Sequence, residues 1–194
     1  LKPFITGILA GATIAILSIN TFIESGAHPI GYIDNKDEVH VHSDFIVYLG
    51  GKAYDFTDDK YQTKTDHALH DHIHLHDNDD DVIHRHDHGI TLVEFMDSLG
   101  FLMTNDCITT DENIEFCSDE ASKLQLFVNG SKVDDVVNYI NQEEDRLLLF
   151  YGDPEDEIIS FLLDEVTDKA CIYSGTCPER GIAPSLYRMR ARAA

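Results

Sequence analysis

The sequence predicts an α+β domain: a mixed or antiparallel β-sheet of five or more strands with one or two helices packed on it, preceded by an N-terminal transmembrane helix. Three observations carry this. Alternating apolar residues between positions 39 and 56 read as a hairpin, Arg146-Leu-Leu-Leu-Phe-Tyr151 reads as a central strand, and Leu92, Phe95, Met96 and Leu99 make one helical stripe. The charge-free run from Phe4 to Ile23 supplies the membrane element, since twenty residues in a helix span about 30 Å, the thickness of a bilayer's hydrocarbon core.

Lys2 precedes that run and Glu24 follows it, which places the bulk of the chain outside the cytoplasm by the positive-inside tendency. Gly7, Gly11 and Ala15, at four-residue spacing, permit close helix pairing. Ser25-Gly26-Ala27 is small enough to be a signal-processing site, but the run is longer than an ordinary signal core, so a retained anchor is favoured. Either alternative exports the domain. The organisation read from the chain is an anchor over 1–24, a linker over 25–38, a His-rich α+β domain over 39–168, and a disulfide-looped C-terminal tail over 169–194.

The exported domain opens with Val39, Val41, Phe45, Val47 and Leu49 alternating toward Gly50-Gly51, after which Tyr54 and Phe56 return on the same face. The opposite face carries His40, His42 and Asp44. Beyond a polar connection comes the densest feature of the chain, eight of its eleven histidines between positions 67 and 88. His70, His72, His74 and His76 alternate with other residues up to an acidic bend, and His84, His86 and His88 alternate after it. Period two is a strand signal. A three-residue loop over Asp79, Asp80 and Asp81 sets His76 opposite His84 and His74 opposite His86, with Ile73, Leu75 and Ile83 on the other face. Four imidazoles then share one side. Asp77 and Asp81 are subsidiary ligand candidates, and the bend lacks the glycine and distal glutamate of an EF-hand loop.

Thr91 and Glu94 form a capping-box pattern before the apolar stripe, and Gly100 stops that helix. Cys107 and Cys117 bracket a short acidic segment, Cys171 and Cys177 bracket Ile-Tyr-Ser-Gly-Thr, and two local disulfides are the simplest of three possible pairings. Such bridges persist in an oxidising compartment. Asn129-Gly130 marks a second hairpin after Leu124-Gln-Leu-Phe-Val128. A second helix is expected to open at Asp153-Pro154, with Ile158, Ile159, Leu162, Leu163 and Val166 as its stripe. Residues 186–194 form a basic tail.

Acidic residues outnumber basic ones 36 to 14, and the formal charge of −22 argues against nucleic acid while drawing cations to the surface. Neutral imidazoles suit copper or zinc better than magnesium or calcium. The expected metal ligands are His74, His76, His84 and His86, helped by His70, His72, His40 and His42. His40-Val-His42-Ser-Asp44 overlaps the opening of a binuclear metallo-hydrolase signature, but Phe45 stands where that motif needs histidine. No catalytic residue is assigned.

The successions His40-Val-His42-Ser-Asp44-Phe45, Gly51-Lys-Ala-Tyr-Asp-Phe56, Ile83-His-Arg-His86, Gly89-Ile-Thr-Leu92, Phe127-Val-Asn-Gly130 and Leu149-Phe-Tyr-Gly152 together resemble an uncharacterised family of membrane-anchored, extracytoplasmic, His-rich proteins from archaea and some bacteria. That resemblance covers roughly residues 38 to 180 and implies export, with no activity attached. The strand-turn at 124–133 followed by the strand at 147–151 is similar to the end of ubiquitin-like β-grasp sulfur carriers, without their C-terminal diglycine. The functional expectation is an extracytoplasmic metal-binding protein that captures, buffers or delivers copper or zinc. The alternatives are an accessory or structural subunit of a membrane complex, and a metal-dependent enzyme.

Overall fold

The computed structural model describes residues 39–64 and 69–183. The predicted anchor, the linker up to position 38, His67 and the basic tail lie outside the described residues. Among the described residues no helix is long and apolar enough to cross a membrane.

The chain is mixed α+β. Strand β1 (Val41–Leu49) turns into β2 (Lys52–Ala53), and β3 (Ile73–His74) and β4 (Val82–Arg85) form the histidine hairpin. Helix α1 (Leu92–Ser98) follows, then β5 (Leu102–Met103), β6 (Cys107–Thr109) and β7 (Glu115–Cys117). Last come β8 (Lys123–Val128), β9 (Ser131–Val133), β10 (Arg146–Gly152), α2 (Ile158–Glu165) and α3 (Ala170–Ser174). The seven-stranded sheet runs β3-β4-β1-β10-β8-β9, with β2 also on β1, while β5, β6 and β7 make a small second sheet. β1 and β10 are parallel and the other pairs antiparallel. β4 pairs with residues 41–44 of β1 and β2 with residues 48–49, so the histidine hairpin occupies the stretch of β1 that β2 does not reach.

Local chemistry accounts for these elements. Gly50 and Gly51 have φ of 58° and 89°, the left-handed pair that a two-residue hairpin needs. A Cβ on Gly50 would also stand 2.7 Å from the Phe116 ring. The Glu94 carboxylate accepts from the Thr91 N–H at 2.8 Å, completing the capping box of α1. Asn129 and Gly130, with φ of 51° and 79°, turn β8 into β9. Both expected disulfides are present, Cys107–Cys117 directly across β6 and β7 and Cys171–Cys177 closing a loop around α3.

The sheet is covered on both faces. Phe45, Val47 and Leu49 of β1, Ile73, Leu75 and Ile83 of the histidine hairpin, and Leu126, Leu147 and Leu149 pack with Leu92, Phe95 and Met96 of α1. On the reverse face Leu148 and Phe150 pack with Ile159 and Leu162 of α2, and Ile46 and Tyr48 join them. β10 is therefore buried on both sides, as its continuous apolar run requires.

Two expectations need correction. The second helix begins at Ile158 rather than at Pro154, because Asp153 and Asp156 compete for local N–H groups. Asp153 Oδ1 accepts from Glu155 N at 3.0 Å and Asp156 Oδ1 from Ile158 N at 3.0 Å, holding 153–157 as turns before the helix. The histidine hairpin also pairs two residues out of the expected register: His74 stands opposite His84 and Ile73 opposite Arg85. Its turn comes earlier than expected, at Asp77 and Asn78 with φ of 64° and 59°. A shift of two leaves the facing of every side chain unchanged.

Candidate metal centre

Side chains alternate along β1, so the residues after Ile46 on the reverse face, read backward, are Asp44, His42 and His40. β4 brings His84 directly opposite His42, and β3 brings His74 opposite His84. Six imidazoles meet on this face. Ring centroids are 4.6 Å apart for His40 and His42, 4.6 Å for His40 and His86, and 4.8 Å for His42 and His84. On the β3 side the separations are 3.7 Å for His76 and His84, 5.0 Å for His74 and His86, and 5.6 Å for His74 and His76. One ligand nitrogen each from His40, His42 and His84 falls within 4.8 Å of the others.

The cluster is roofed by the segment after α2. Asp44, which continues the His-x-His pattern, supports that roof: its carboxylate accepts from Thr167 Oγ1 at 2.5 Å, Lys169 N at 2.7 Å and Ala170 N at 3.0 Å. Burial pushes the Asp44 carboxyl up, and these bonds partly offset the effect. So held, α3 lays the Tyr173 ring against His84 at 4.7 Å and His42 at 5.7 Å. The Tyr173 hydroxyl donates to Asp79 Oδ2 at 2.9 Å. The expected disulfide-looped tail thus begins with a short helix that closes one side of the histidine face.

Several rings are oriented by what they bond. His42 Nδ1 lies 2.9 Å from Ser174 Oγ, and that hydroxyl itself donates to Glu143. His74 Nδ1 lies 2.8 Å from the carbonyl of His70, which can only accept, so the ring carries its proton there and keeps its lone pair on Nε2. His76 Nδ1 lies 3.2 Å from Asp77 Oδ2. A second ring nitrogen bonded to a carboxylate or carbonyl is the usual arrangement behind a metal-ligating histidine. His84 differs. It is 1 % exposed, and neither Nδ1 nor Nε2 has a hydrogen-bond partner among the described residues.

Burial, reinforced by neighbouring imidazoles, pushes His42 and His86 down to about 3 and His84 well below its ordinary value. His40 and His76 are lowered too, again chiefly by burial. These rings are neutral at pH 7, the form in which an imidazole donates a lone pair to a cation.

The other expected ligands are turned to different partners. His70 Nδ1 accepts from His72 N and Ile73 N, both at 3.2 Å, which occupies that lone pair in a turn. His72 Nδ1 faces the buried Asp87 carboxylate at 3.2 Å. Asp81 pairs with Lys169, and Asp77 backs His76. Sequence reasoning missed Tyr173, Ser174 and Glu143, whose proximity to His42 is a matter of long-range packing; the cysteines flanking Tyr173 mark the loop but not its destination.

The face can therefore present several neutral nitrogen donors to one region behind a partly buried wall. No protein-family model matches the chain, and no curated protein or solved structure is significantly similar to it.

Proposed function

We propose that this domain binds a transition-metal ion, copper or zinc, through the clustered imidazoles, and that it captures, buffers or delivers that ion. The observation that carries this reading is His84. Among the described residues both of its nitrogens are buried and unpartnered amid five other imidazoles, and a buried polar group in that condition costs about 1–3 kcal/mol unless something satisfies it. A cation bound by His84, His42 and His40 removes part of that cost and uses imidazole nitrogen, a donor suited to Zn(II) and Cu(II). The formal charge of −22 supports approach of the cation.

Anchoring through residues 4–23 and an extracytoplasmic location belong to the same proposal, supported by that run's length, its flanking charges and two disulfides suited to an oxidising space. The sheet order β2-β1-β10-β8-β9 with its parallel centre supports a β-grasp-like scaffold carrying the histidine hairpin as an insertion.

Titration of the metal-free chain with Zn(II) and Cu(II), followed by calorimetry and elemental analysis, tests the reading. Saturable binding that His42→Ala and His84→Ala each weaken at least tenfold is expected. Unchanged metal content in both variants overturns it.

A further inference from the structure

The face carries six imidazoles, whereas a zinc or copper ion of ordinary coordination takes three or four. Two or three nitrogen donors remain after one ion is seated. Resting on the metal-binding reading above, we propose that the face is a two-ion centre, with one ion held by His40, His42 and His84 and a second by His74, His76 and His86. His84 on β4 stands opposite His42 across the β1 seam and opposite His74 across the β3 seam, and His40, His76 and His86 flank these pairs just beyond the strand ends.

The first triad already brings one nitrogen from each ring within 4.8 Å of the others, a spread that small side-chain movements close onto metal–nitrogen bonds of about 2.0–2.1 Å. In the second triad His74 is central, with its ring 5.0 Å from His86 and 5.6 Å from His76; His76 also stands 3.7 Å from His84 and His86 4.6 Å from His40, so the two triads abut. The contacts behind these rings favour them as donors toward the face: His74 Nδ1–H donates to the His70 carbonyl, which leaves the neutral ring's lone pair on Nε2, and His76 Nδ1 lies 3.2 Å from Asp77 Oδ2. His42 repeats the pattern in the first triad through Ser174. Neighbouring seams of a sheet are one strand spacing apart, about 4.8 Å, so the ions stand on the order of 5 Å from each other.

The sites are unequal. His42 and His84 are 2 % and 1 % exposed while His40 is exposed, and His74, His76 and His86 are half-buried. The first ion has two buried ligands and one at the surface, and the second has three half-buried ones.

Copper titration of the metal-free full chain, read by calorimetry and electron paramagnetic resonance, tests this. Two equivalents are expected, with isolated-spin signal up to the first and dipolar broadening with a half-field transition on the second. His74→Ala/His86→Ala should keep one equivalent with an isolated spin, and so should His40→Ala/His42→Ala. Saturation of the unmodified chain at one equivalent, with no coupled signal, overturns the two-ion proposal and leaves the metal-binding reading intact; absence of any copper binding overturns both. Because the unmodified chain supplies the deciding spectrum, a variant that fails to fold does not obscure the result.

Discussion

Replacing His84 by leucine separates a ligand histidine from a structural one. In the metal-free protein the imidazole leaves two buried nitrogens without hydrogen bonds among the described residues, and an unsatisfied buried group costs about 1–3 kcal/mol. A leucyl side chain of similar volume removes that cost and introduces packing mismatch of under about 1.5 kcal/mol. The expected balance is a metal-free variant about 1 kcal/mol more stable than the parent, a rise in Tm of roughly 2–4 °C for a domain of this size. Metal reverses the order. At one hundred times its Kd, zinc stabilises the parent by about 2.7 kcal/mol, and the variant, with its triad broken, receives only a small part of that. Thermal unfolding of both proteins in chelator and in excess zinc measures all four values. If His84→Leu lowers Tm in chelator and keeps the full zinc-induced rise, His84 is a packing residue and the reasoning fails.

Four further outcomes follow from the same geometry. His42 and His86 take up protons in the unfolded chain from about pH 6.5 downward but in the fold only near 3, so folded stability is intact above pH 6.5 and is lost as pH falls. The two rings together contribute about 2.7 kcal/mol per pH unit to that loss between roughly pH 6 and 4, measurable as denaturant midpoints of the metal-free protein at pH 7.5, 6 and 5. Asp44→Ala deprives Thr167, Lys169 and Ala170 of their shared acceptor; it should cost about 2–3 kcal/mol and increase hydrogen exchange in α3, while unchanged protection there would count against Asp44 as the support of the roof. His70→Ala removes a turn acceptor and should lower Tm while preserving metal stoichiometry, so a lost equivalent on calorimetric titration would restore His70 to the ligands. Cys171→Ser/Cys177→Ser opens a loop with a sequence separation of 6 and should cost about 2 kcal/mol, read by chemical denaturation beside the parent.

Much of the architecture was legible because its signals are local. The Gly50-Gly51 and Asn129-Gly130 turns, the Thr91 and Glu94 capping box and the doubly buried run of β10 are all in the structure. The shared face of the histidines was legible for a subtler reason: parity along a strand survives a register shift of two, so the wrong pairing of His74 and His76 still put their rings on the right side. The acidic bend misled because Asp and Asn tolerate left-handed backbone at several positions. Nothing local told 77–78 from 79–81.

By itself, then, the sequence determined the periodicities, and through them the strands, the α1 stripe and the side of the sheet on which imidazoles collect, because each depends on residues within a few positions of one another. Tertiary structure alone decided that β1 lies between β4 and β10, that His40 and His42 join the hairpin histidines while His70 and His72 turn to other partners, and that Tyr173 and Ser174 roof the result. Those choices depend on contacts between residues as far apart as His42 and Ser174, which pattern and spacing along the chain do not encode.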